Sequence, residues 1–144
     1  MKRTLLLGAA VALAFGAGLA TQSIVGAQTA PPAPPAPSAK TLMDEALVGG
    51  TYEQMLMQEV TFQPGAGAAW HIHPDGHEIA YVLEGAIKVW VDKNPERIVK
   101  AGEGLHMNAN VPHRALAEPS GAKLLIVRLK PKDKPVMTTV QHSD

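Results

Sequence analysis

The chain has 144 residues, 46% of them hydrophobic, and its 13 Lys/Arg residues balance its 13 Asp/Glu residues. This length accommodates one domain, and dispersed charge without a basic stripe excludes nucleic acid and an anionic membrane surface as expected partners. The lack of any cysteine excludes disulfides, thiolate zinc sites, a lipid-modified cysteine and thiol catalysis.

Lys2 and Arg3 open the chain, Leu5 to Ala20 is apolar and uncharged, and Val25-Gly26-Ala27 places small residues where a signal peptidase reads. This is the layout of a signal peptide, residues 1–27, cut between Ala27 and Gln28. The apolar run is shorter than the roughly 20 residues of a spanning helix. A periplasmic or secreted protein is expected, with no membrane contact after cleavage. Removing residues 1–27 takes away Lys2 and Arg3 and no acid, so 11 basic and 13 acidic residues remain. Residues 28–39, "QTAPPAPPAPSA", hold five prolines in twelve positions and read as an extended polyproline spacer. The folded domain is expected over residues 40–137, followed by a polar tail at 138–144.

Within the domain, "TLMDEALVGG" (41–50) fits either one helical turn capped by Thr41 or an extended arm. From Thr51 onward, short runs of strand formers alternate with turn signals. "YEQMLMQEVTFQ" carries Leu56, Val60 and Phe62 on one parity and stops at Pro64-Gly65. "EIAYVLE", Gly85 and "AIKVWV" follow, then the turn "DKNPE", "RIVK", "GLHMN" and "HRALA". Pro119-Ser120-Gly121 reads as a turn before "KLLIVRLK". Short strands punctuated in this way predict an all-β sandwich or small barrel.

Three of the six histidines lie within "HIHPDGH" (71–77). Successive side chains on a strand point to opposite faces, so His71 and His73 project together and form a ready pair of transition-metal ligands. Glu78 lies five positions past His73, beyond the turn "PDG", and "NVPHR" puts His113 at the start of a later strand.

Gly65, five residues, His71-x-His73, four residues, Glu78, six residues, Gly85 resembles the first motif of the cupin family at every fixed position. A second, degenerate motif keeps Gly102 and His113, with Asn108, Asn110 and Ala117 in place of the family's proline, glycine and asparagine. Asn110 is suited to supply the positive φ of the missing glycine. The resemblance implies a single jelly-roll β-barrel holding one divalent metal (Fe, Mn, Ni, Co or Zn) on His71, His73, Glu78 and His113. It also implies a homodimer. The expected function is an oxygenase-type oxidoreductase acting on a small molecule. A non-enzymatic ligand-binding or sensor module and a metal-dependent isomerase or decarboxylase stand as alternatives, because fold and ligand set do not choose among them.

Other assignments compete. His77 with His71 and His73 would make an all-nitrogen site, but beside Glu78 on a strand it should face outward. "HPD" with His113 has the form of a His-x-Asp…His facial triad, although Asp75 before Gly76 reads better as a turn residue. "HEIAY" lacks the second histidine of the zinc-protease motif. His106 is expected outside the barrel and His142 in the tail. Tyr81 is a candidate cavity residue.

Overall fold

The computed structural model describes residues 33–142, and the signal-peptide reading and the first five spacer residues lie outside them. The described chain is all-β, with eight strands: β1 (Ser38–Ala46), β2 (Gln54–Phe62), β3 (Gly67–Ile72), β4 (His77–Val91), β5 (Arg97–Lys100), β6 (Gly104–Met107), β7 (His113–Lys130) and β8 (Thr138–Thr139). All pairings are antiparallel. They run in the order β1-β2-β7-β3-β8, while β4 pairs with β5, β6 and β7. This is the jelly-roll barrel expected for the sequence.

The 18-residue β7 is the spine of the barrel. Its first half pairs with β3, its second with β2, and β4 runs beside nearly all of it. Period-two alternation then fixes the interior. From β2 come Val60 and Phe62, from β4 Ala80, Val82, Ile87 and Val89, and from β7 Ala117, Leu124 and Ile126.

Two boundaries differ from the sequence reading. Gly85 and Pro119-Ser120-Gly121 were expected to separate strands, yet β4 and β7 run through them as single elements. Gly85 sits between two register shifts opposite Ala122. Its φ is +71°, Gly121 has φ +73°, and a Cβ at Gly85 would overlap the Gly121 carbonyl oxygen. The two strands bend there together, and glycine allows the close backbone approach.

The 41–50 stretch is extended rather than helical, since β1 occupies Ser38–Ala46 and pairs with β2. Strand pairing thus begins inside the stretch read as spacer, and the Pro35 carbonyl accepts the Gly67 N–H at 2.9 Å. The stretch read as a tail contributes β8, which pairs with His71 and Ile72 of β3. The Val140 N–H donates to the Trp70 carbonyl, and the His142 ring stacks on Trp70 with centroids 3.9 Å apart.

Candidate metal centre

His71 is on β3, and His73 follows just after its end with the same inward parity. The chain then turns through Pro74-Asp75-Gly76, with Asp75 at φ 53° and the Gly76 N–H donating to the His73 carbonyl. β4 begins at His77, so Glu78 points inward and His77 outward. His113 opens β7 directly across from His71. All four side chains, His71, His73, Glu78 and His113, are buried.

The three imidazoles converge, with ring centroids 4.2 to 5.2 Å apart, and ligand-capable atoms of all three lie within 4.8 Å of one another. Each Nδ1 faces a backbone carbonyl: His71 that of Ala69 at 2.7 Å, His73 that of Val136 at 2.6 Å, His113 that of Val111 at 2.9 Å. A carbonyl has no proton to give, so each Nδ1 must carry the hydrogen and donate it. This assignment leaves the Nε2 lone pairs of the neutral rings directed into the site. Among the described residues the buried Nε2 of His113 has no hydrogen-bond partner, and His73 Nε2 faces only the Glu78 carboxylate. Burial, and then the neighbouring His71, hold the His113 pKa down to about 4. Burial also lowers His71, with a smaller contribution from His73. Both therefore favour the neutral form that a metal requires.

Glu78 lies beside the three rings. Its Oε2 lies 3.0 Å from His73 Nε2, so a carboxylate oxygen faces a ring nitrogen that already donates from its other side. Two lone pairs at this distance repel unless a cation, a proton or a metal ion, lies between them. Burial alone would raise the Glu78 carboxyl, but His73 and the Arg128 guanidinium outweigh it and hold the pKa down to about 2. The His73 contribution needs an imidazolium or an ion at that position, whereas the Arg128 contribution does not. Three nitrogen lone pairs and one carboxylate suit a borderline divalent ion.

Arg128 and Gln58 were not singled out as parts of the centre from sequence. Arg128 stands directly opposite Glu78 in the β4–β7 pairing. Its Nε and Nη2 donate to Glu78 Oε2 at 2.8 and 2.6 Å, and its Nη1 donates to Gln58 Oε1 at 2.6 Å. Parity carried the signal: Arg128 continues the inward series Leu124, Ile126 on β7, and Gln58 lies between Leu56 and Val60 on β2. Val136, whose carbonyl fixes the His73 tautomer, had no side-chain signal.

The remaining candidates lie elsewhere. Tyr81 was a candidate cavity residue, but it is 47% exposed; odd positions of the Glu78–Val82 segment face outward, so it does not line the cavity. The Asp75 carboxylate accepts from the Asn110 amide at 3.0 Å and lies 3.5 Å from Lys134 Nζ, on the surface. Asn110, at φ 62°, returns the contact by accepting the Asp75 N–H, and its own N–H donates to the His73 carbonyl. The residue in place of the motif glycine therefore ties the turn after His73 to the approach to His113. His77 points outward, with its Nδ1 2.8 Å from His106 Nε2 and its ring edge-on to Tyr52.

A family profile described as a cupin domain matches residues 58–128. With the jelly-roll barrel and its inward histidines, this match supports a small cupin domain. No curated protein matches the sequence. Solved structures share the fold. A cupin-like protein from Thermotoga maritima is 25% identical with a TM-score of 0.58, covering 74% of this chain and 77% of that one. A chain from the DMSP lyases RdDddP and RnDddQII is 18% identical with a TM-score of 0.54, over 60% of this chain and 44% of that one. An oxalate oxidase in complex with glycolate is 24% identical with a TM-score of 0.52, over 60% and 46%. The chain thus spans less than half the length of these two enzymes.

Proposed function

We propose that His71, His73, Glu78 and His113 hold one divalent transition metal and that the protein is an oxygenase-type oxidoreductase acting on a small molecule. The observation that carries this reading is the set of three Nε2 lone pairs, locked inward by backbone carbonyls and converging beside a buried carboxylate. Such a ligand set leaves one or two coordination positions open, where a bound ion polarises an oxygen ligand or, if redox-active, exchanges electrons.

The chain's own residues fix ring orientation, exclude water with an apolar wall and counter the Glu78 charge. His71, Glu78, His113 and Arg128 are the titratable side chains lining the inner cavity among the described residues. In this reading three of them hold the ion and Arg128 counters the Glu78 charge. The same observation favours a second reading, a binding module without turnover. The structures named above as a lyase and an oxidase support chemistry on a small molecule without choosing the reaction.

Export through residues 1–27 and a homodimer formed along the exposed β1 edge are part of the proposal. The test is metal analysis of protein purified from its own compartment, followed by oxygen uptake with iron- or manganese-loaded protein and phenols, catechols and diketones. Oxygen consumption with one of these classes supports the oxidoreductase. Binding of a small molecule with no turnover on any redox metal selects the binding module.

A further inference from the structure

Arg128 is engaged by its neighbours without being exhausted by them. A guanidinium has five N–H groups. Nε and one hydrogen of Nη2 go to Glu78, and one hydrogen of Nη1 goes to Gln58, which leaves one N–H on each terminal nitrogen. The side chain lies between two spaces. Inside is a cavity of about 80 Å³ lined by His71, Glu78 and His113 among apolar residues. Outside is a groove of about 400 Å³ walled by Pro34, Ala36, Ala39, Gln58 and Val136 among others. Pro37, Val60, Ala68, Arg128 and Met137 line both. Among the described residues Arg128 is the only Lys or Arg in either lining.

Charge balance adds a second argument. Arg128 and Glu78 cancel, and the three histidines are neutral when they coordinate. A divalent ion on the centre would therefore leave about two uncompensated positive charges in an apolar enclosure, which strongly favours an anionic guest.

We propose that Arg128 is a specificity-determining residue that receives the carboxylate of a small acid entering from the groove, so that the substrate or ligand is a small carboxylate with an apolar body. This inference rests on the metal reading above. The N–H groups of Arg128 not taken by Glu78 and Gln58 would receive the carboxylate, in the same cavity that His71, Glu78 and His113 line. Guanidinium–carboxylate pairing supplies orientation as well as charge, which an ammonium at the same place would not.

The test uses the full mature chain loaded with zinc, which is redox-silent, and the isosteric probes propanoate and propanamide in calorimetric titrations. Zinc stoichiometry is measured first. Wild-type protein is expected to prefer propanoate by at least about tenfold. Arg128→Gln should lose most of that preference, and Arg128→Lys should keep the charge-dependent part. In wild-type protein the Arg128 side-chain N–H signals in NMR should shift on adding propanoate and stay in place with propanamide, so the assignment survives even if Arg128→Gln fails to fold. Equal affinity for acid and amide overturns the proposal, as does wild-type preference in both variants. Propanoate binding that leaves the Arg128 signals unmoved also overturns it. Zinc bound at one equivalent with any of these results removes the Arg128 role alone, whereas failure to bind zinc removes the metal reading with it.

Discussion

The Glu78–Arg128 pair gives the sharpest test of how the centre is balanced. Their side chains are 9% and 11% exposed, and two short contacts join them across β4 and β7. Glu78→Gln keeps the shape and removes the charge, leaving a buried guanidinium without an anionic partner. Removing one partner of a buried pair costs about 3–5 kcal/mol. The Gln58 contact and residual solvent access favour the lower end, so a loss of about 3 kcal/mol is expected in metal-free protein. That is a large share of the roughly 5–15 kcal/mol that stabilises a typical domain.

Glu78→Gln/Arg128→Gln replaces the pair with two amides that can bond to each other, and should be within about 1 kcal/mol of wild type. Urea denaturation of all four proteins in the presence of chelator measures the cycle. Adding zinc should stabilise wild type and the Glu78→Gln variant unequally, because stabilisation rises with the logarithm of affinity and the variant lacks the proposed anionic donor. If the two single losses add to the double within about 0.5 kcal/mol, the residues are not coupled and the balance described here is wrong.

Acid should destabilise the metal-free protein in two steps. His113 has a folded pKa of about 4 against an ordinary 6.5, so the unfolded chain binds the proton first and stability falls as pH drops between these values, by at most about 3 kcal/mol. Glu78, lowered to about 2 from 4.5, stabilises above its unfolded pKa and loses that contribution as pH falls further; denaturation midpoints across the range show whether the slope has this sign, and a flat profile would refute it. Gly85→Ala forces a Cβ into the Gly121 carbonyl at φ +71°, and should lower stability by at least about 2 kcal/mol in a thermal melt. His77→Ala should leave zinc stoichiometry at one and affinity within about twofold, because its ring faces His106; loss of the ion would restore His77 as a ligand in place of Glu78.

Much of this centre was legible as parity. His71 and His73 at i and i+2, and Glu78 after a turn centred on Asp75-Gly76, needed only the two-residue period and turn chemistry to be set on one face. The same rule, applied to Tyr81, puts it on the face opposite Ala80 and Val82, where the structure has it. Arg128 falls on the inward face by the same count along β7, although arginine ordinarily faces water. Its burial is tolerable only because a specific carboxylate on the neighbouring strand meets it, and register between distant strands cannot be read from either one alone. The strand breaks at Gly85 and Gly121 were misplaced for a related reason. Glycine ends a strand or bends it, and which occurs depends on whether a second strand bends beside it.

The ends of the described chain were the least legible part, and they bear directly on the centre. A Pro/Ala stretch and the last residues before the polar tail carry no periodic signal, yet Pro37 and Met137 line the inner cavity and the Val136 carbonyl sets the His73 tautomer. The tail is held by backbone pairing with β3, by His142 on Trp70 and by the 3.3 Å contact of His142 with Asp92. Backbone carbonyls are present at every residue, so no sequence pattern marks the one that a buried imidazole will choose. Three rings oriented by three carbonyls, one of them supplied by a segment outside the matched family region, explain how a degenerate second motif can still deliver His113 to His71 and His73. The family pattern records which side chains face inward, while their orientation depends on backbone that any residue could provide.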